Sequence, residues 1–166
     1  MSAFDSRTMS HGEVDEHVMA SEVLFVVYNA SGAAVGFAGL QREVTGTRKY
    51  IHLSGAALLE EAQGDGVYKK LVHARVMVGL TEGATLIETS TQNPKVEVGI
   101  REALAELFMQ GKIDGCAMTR KHSPKHYGRM LTSTVPTSRC AEVNKEYGKL
   151  DYGAGDCYQL AFEIGG

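Results

Sequence analysis

The chain has 166 residues, 43% of them hydrophobic and 22% charged, which suits one soluble globular domain with its own core and excludes a disordered chain. Seventeen Lys and Arg against 20 Asp and Glu leave a formal charge of −3, which argues against nucleic acid held by overall electrostatics. No apolar run approaches the ~20 residues of a membrane span, so no membrane partner is expected.

Residues 1–8 carry no apolar signal-peptide core. The three cysteines, Cys116, Cys140 and Cys157, are odd in number and widely spaced. Both features predict free thiols in a reducing compartment, and hence a cytoplasmic location. Cys140 and Cys157 read either as nucleophiles or as buried structural thiols. His122 and His126 have the spacing of a helical metal pair, but Pro124 interrupts a helix there and no third ligand is near. The pair is read as surface or loop, and no metal is expected.

Residues 1–21 form a polar N-terminal segment, with room for a short helix over 15–20. Residues 22–29 are β-branched and aromatic and predict a strand. A turn at 29–32 and a returning strand over 33–41 complete a hairpin, where Gly36 and Gly39 mark a bulge or a close backbone approach. A second turn at 45–47 leads into a third strand over 49–59. Val67, Leu71, Ala74 and Val78 recur at helical spacing, widened by Val72 and Val76, and Gly79 is the expected stop. Residues 85–90 read as a buried strand. The helix between them makes strands 49–59 and 85–90 parallel neighbours. Asn93 and Pro94 open another helix, with Val96, Ile100, Ala103, Leu104, Leu107 and Phe108 on its inner face and Gly111 at its end. Beyond it the pattern predicts a short strand over 114–118, a helix over 123–131 capped by Ser123, a loop over 132–138 and a last strand over 157–164. Residues 139–148 are ambiguous.

The junction across residues 50–71 is the most informative stretch. A strand ends, Gln63, Gly64, Asp65 and Gly66 supply little bulk, and a helix begins at Val67. The N–H groups of Gly64, Asp65, Gly66, Val67 and Tyr68 then converge on the positive end of a helix dipole, which suits a phosphate. Lys69, Lys70 and Arg75 are expected to add counter-charge. Taken alone, Gly64 and Gly66 read as a tight turn between strand and helix.

Gln63 to Tyr68 resembles the Q/R-x-x-G-x-G/A signature of the GNAT acyltransferases. Gln63 and Gly66 match, Tyr68 departs at the last small position, and the flanking strands and Asn93 extend the likeness over about residues 22–110. The resemblance implies a single α+β domain over 1–166, with a core at 22–110 and a divergent part at 111–166. Its mixed, mostly antiparallel sheet would hold one parallel strand–helix–strand unit. It implies acetyl-CoA as co-substrate. The pyrophosphate would lie on Gln63, Gly64, Asp65, Gly66, Val67, Tyr68 and Lys69. The pantetheine arm would lie beside Ala57, Leu58 and Leu59, where residues 56–59 splay from 88–91, and would bond to Asn93.

Acetyl transfer to an amine uses a base for the amine and an acid for the departing thiolate. Several GNAT members place a base on the motif strand ahead of its apolar end, and counting back from Leu58 gives His52; the other reading is a half-exposed strand histidine. Glu88 is a second candidate, or a sheet-edge carboxylate. Where the family has its acid tyrosine this chain has Ile100 and Arg101, and Tyr127 is the substitute chosen, against a packed tyrosine. Only 21 residues precede the first strand, so residues 112–156 or a second subunit are expected to wall the acceptor site, and the strand edge at 22–29 suggests a homodimer. The leading function is an acetyl-CoA-dependent N-acyltransferase acting on an amine of a protein or small molecule. The alternatives are a non-catalytic GNAT-like interaction module that binds coenzyme A, and an unrelated α+β interaction domain.

Overall fold

The computed structural model describes residues 11–64 and 66–165. Helix α1 (His11–Ala20) leads to strands β1 (Val23–Tyr28) and β2 (Ala34–Thr45). Asn29 closes the hairpin, its Oδ1 accepting from Ser31 N and Ala33 N at 3.0 Å each. Then come β3 (Arg48–His52), β4 (Ala56–Leu58), α2 (Val67–Thr81), β5 (Leu86–Thr91), α3 (Pro94–Met109), β6 (Gly115–Ser123), α4 (Ala141–Tyr147) and β7 (Cys157–Gly165). The sheet runs β1-β2-β3-β5-β7-β6, with β4 on β2. The pair β3 and β5 is parallel and the other pairs are antiparallel, so the expected mixed α+β sheet is the one found. No helix among the described residues is long and apolar enough to cross a membrane.

Strand alternation gives the sheet two different faces. Ile51, Ile87 and Phe162 lie in one register row and are buried with Val72, Val76, Ile100 and Leu104 of α2 and α3. The next row holds Gln41, His52, Glu88, Ala161 and Thr119, side by side across five strands on the opposite face. Glu97 is fully buried on α3, gripped by Arg120 of β6 through Nε at 3.0 Å and Nη2 at 2.5 Å. That paired charge ties α3 to the far edge of the sheet, and losing Glu97 would leave Arg120 without its carboxylate.

Several expectations are corrected. The strand over 49–59 is broken at 53–55 into β3 and β4. Helix α2 runs through Gly79 to Thr81, because that glycine is needed for contact: a Cβ there would lie 2.7 Å from Ile51 Cδ1. Phe108 is exposed rather than inward. The strand expected over 114–118 extends to Ser123, and no helix follows at 123–131. That segment is a loop tied to a distant turn, with Lys125 N on Asp156 Oδ1 at 2.9 Å and Tyr127 N on Gly155 O at 3.0 Å. Lys125 adopts φ 53° within it, a helix-incompatible conformation. The ambiguous 139–148 stretch forms α4, and β7 inserts between β5 and β6.

Candidate active site

The break at 53–55 shapes the site. Leu53 N still reaches Glu88 O at 2.8 Å, and Thr89 Oγ1 donates to Leu53 O at 2.9 Å. Beyond that point β4 pairs with β2 and has no ladder with β5, so the two strands part. Gly39 N donates to Gly55 O and Leu59 N to Val35 O. Odd-numbered residues of β4 therefore face β2, and alternation turns the backbone polar groups of Ala56 and Leu58 toward the gap. The expected cofactor residues Ala57 and Leu59 thus spend their N–H groups on β2, whereas Leu58 N–H faces the opening. Ala56, absent from the expected set, shares that orientation. Gln63 Nε2 donates to Leu58 O at 3.1 Å, and Gln63 Oε1 is buried without a partner.

Gly66 precedes α2 at φ 70° and Gly64 sits at φ 99°, left-handed conformations that glycine adopts without strain. Val67 N bonds Gly64 O and Lys70 N bonds Gly66 O, and the amides of Tyr68 and Lys69 lie between them in the first turn of α2, where helix N–H groups point out of the helix end. Asp65 lies outside the described residues. A cleft of about 580 Å³ opens here, lined by Gln63, Gly64, Gly66 and Lys69 on one wall and by Lys95 and Gly99 of α3 on the other. Lys69 Nζ pairs with Glu106 at 3.0 Å. Asn93 is buried and caps α3, its Oδ1 accepting from Lys95 N at 3.0 Å.

A second, larger cleft of about 900 Å³ covers the polar row of the sheet. Its floor holds His52 and Glu88, its walls Glu16 and His17 of α1 on one side and His126 and Tyr127 of the 124–131 loop on the other. Burial lowers the pKa of His52, opposed by the negative charges of Glu43 and Glu88 and assisted by His126 and Arg75. The ring is therefore neutral at neutral pH and able to accept a proton. Tyr127 lies in the loop, not on a helix, and its hydroxyl donates to Ser90 O at 2.8 Å. Burial raises its pKa strongly. The structure thus brings His52, Glu88 and Tyr127 to the larger cleft and Leu58, Gln63, Gly64, Gly66 and Lys69 to the smaller, with Tyr68 lining both. Among the described residues no cluster of three or more His, Cys, Asp or Glu side chains is arranged to hold a metal ion.

Arg75 corrects the expectation of counter-charge. It is 1% exposed, beneath the strand break, where Nη1 donates to Gly39 O at 3.2 Å and Ser54 O at 3.3 Å. Arg75 falls on the same helix face as Leu71 and Val72, a placement its spacing signals although its charge argues against it. Gly99 carries no sequence signal of its own. It lies beneath Tyr68, and a Cβ there would sit 2.7 Å from the ring.

The sequence matches no protein-family model and no curated protein. The structure resembles several solved ones. It aligns with an IAA acetyltransferase from Bacillus cereus at TM-score 0.54 and 18% identity, over 93% of this chain and 85% of that one. It aligns with a GNAT superfamily phosphinothricin acetyltransferase from Sinorhizobium meliloti, in complex with AcCoA, at TM-score 0.55 and 15% identity, over 92% and 70%. A NatC complex bound to Gag peptide and CoA aligns at TM-score 0.52 and 17% identity, over 92% and 79%.

The chain has the GNAT acetyltransferase fold. Within that fold, the splay of β4 from β5 and the glycine turn before α2 are the features nearest the expected coenzyme site. The 124–131 loop and α1 contribute walls of the large cleft.

Proposed function

We propose that the protein is an acetyl-CoA-dependent N-acyltransferase. The observation that carries this reading is the parting of β4 from β5, which leaves the Leu58 N–H and the Ala56 backbone open beside a glycine-rich helix start. Acetyl-CoA would supply the activated acyl group. Its phosphates fit the amides of Tyr68 and Lys69 and the small-residue turn, where the glycines admit close approach. Its pantetheine arm fits the open edge as an added strand. Leu58 N–H polarises an acyl carbonyl placed at the gap. His52, neutral through burial, takes the proton of the incoming amine, and Glu88 beside it favours the imidazolium that results. Loop residues His126 and Tyr127, with α1, wall the acceptor.

Calorimetric titration with acetyl-CoA tests binding, and thiol release with a panel of peptide and small-molecule amines tests turnover. Saturable binding with acceptor-dependent thiol release is expected. Absence of binding overturns the coenzyme reading. Binding without turnover on every amine favours an interaction module instead, a reading supported by Ile100, which lies fully buried in the core where the resemblance calls for an acid tyrosine.

A further inference from the structure

Resting on the acyltransferase reading, we infer that Tyr68 is a catalytic residue: its hydroxyl protonates the departing thiolate, with Arg75 as the positioning group behind it. The two clefts share Ala56, Tyr68 and Val96. Of these, Tyr68 has the side chain with a proton to give. A coenzyme arm in the smaller cleft and an amine in the larger one bring the thioester to that shared wall. Tyr127 is differently engaged, since its proton is held by Ser90 O at 2.8 Å. The Tyr68 hydroxyl interacts with the Arg75 guanidinium, and it is not among the buried side-chain atoms without a partner.

Arg75 supplies the second half of the device. Its guanidinium carbon is 6.0 Å from the centre of the Tyr68 ring. It is 1% exposed, Nη2 has no partner, and no carboxylate pairs with it among the described residues. A buried cation without an anion is costly unless negative charge develops beside it. The slot is fitted to the ring as well: Gly99 on α3 lacks the Cβ that would lie 2.7 Å from Cδ1 and 2.8 Å from Cε1. Burial raises the pKa of Tyr68 while Arg75 opposes that rise, so the phenol stays protonated in the resting protein.

In the step itself the amine nitrogen bonds to the acyl carbon and the carbon–sulfur bond breaks. Its electron pair leaves on sulfur, and sulfur takes the Tyr68 proton. The phenolate formed faces the Arg75 guanidinium. His52 holds the proton lost by the amine, and exchange through solvent returns one to Tyr68, so no oxidant or further reactant is needed.

The test uses coenzyme A itself as the probe, with the ultraviolet absorbance of its thiolate read against pH in the bound state. Tyr68→Phe should raise the bound thiol's pKa by about one unit, since a hydrogen bond to the thiolate is lost. It should also cut kcat for acetyl-CoA on the order of tenfold or more with little change in KM. Incorporation of 3-fluorotyrosine at position 68, a more acidic phenol of nearly the same shape, should lower the bound thiol's pKa, and it serves if the Phe variant does not fold. Coenzyme A binding with an unchanged thiol pKa in both variants overturns the inference and leaves the acyltransferase reading standing. Failure of the native protein to bind coenzyme A overturns both.

Discussion

His52 takes its character from its neighbours across the sheet. Gln41 on one side and Glu88 on the other share its register row, and burial lowers its pKa from the ordinary histidine value. If it is the base, kcat/KM is lost as pH falls through that lowered value, because the protonated ring no longer accepts. The acid limb of the profile should therefore lie below ~6.5. Glu88 works against the lowering, so Glu88→Gln should move that limb to still lower pH. His52→Gln should remove the limb and reduce kcat by about 10²–10⁴-fold. Pre-steady-state and steady-state profiles over pH 5–9 check both, and a limb that stays put in Glu88→Gln would separate the two residues.

At the scale of elements, glycines divide into those that end a helix and those that let one through. Gly111 at φ 64° ends α3 as its sequence suggests, whereas Gly79 lies inside α2 against Ile51. Gly79→Ala gains up to about 1 kcal/mol of helix preference. Overpacking Cβ against the β-branched Ile51 costs about 1–3 kcal/mol, so net destabilisation of about 1 kcal/mol is expected in chemical denaturation. Asn93→Ala should cost about 1 kcal/mol through the lost cap on Lys95 N. Period alone separates strands from helices, and the hairpin, the parallel unit, α3 and the last strand were legible from it. The parting of the motif strand from 88–91 came from the family resemblance and not from period, because Arg75, Thr89 and Gly39 hold it through contacts distant in sequence. Nor was the loop at 123–131, whose cap-like Ser123 and Pro124 imitate a helix start while Asp156 and Gly155 hold the backbone elsewhere. In the site, the glycine turn and His52 were visible as residue types in order. The role of Ala56 needed the ladder phase, and the place of Arg75 needed its partners.

At the scale of the molecule, two clefts meeting at one wall imply two separable functions. Cofactor affinity should depend on the smaller cleft and acceptor choice on the larger. A ligand that prefers the folded state stabilises it by mass action, about 2.7 kcal/mol at a hundredfold excess over Kd. For a chain of this size that corresponds to a melting rise on the order of 5–10 °C with acetyl-CoA. Gly66→Val forces a β-branched residue into a left-handed conformation at the helix start and crowds the phosphates, so it should abolish the rise. His126→Ala stands on the opposite wall, in the larger cleft, and should keep the rise while raising the acceptor's KM. Thermal melts of the three proteins with and without acetyl-CoA, paired with acceptor titrations, measure both effects. Equal loss of the melting rise in both variants would mean that the two clefts act as one site, and the division of labour across the Tyr68 wall would then have to be abandoned.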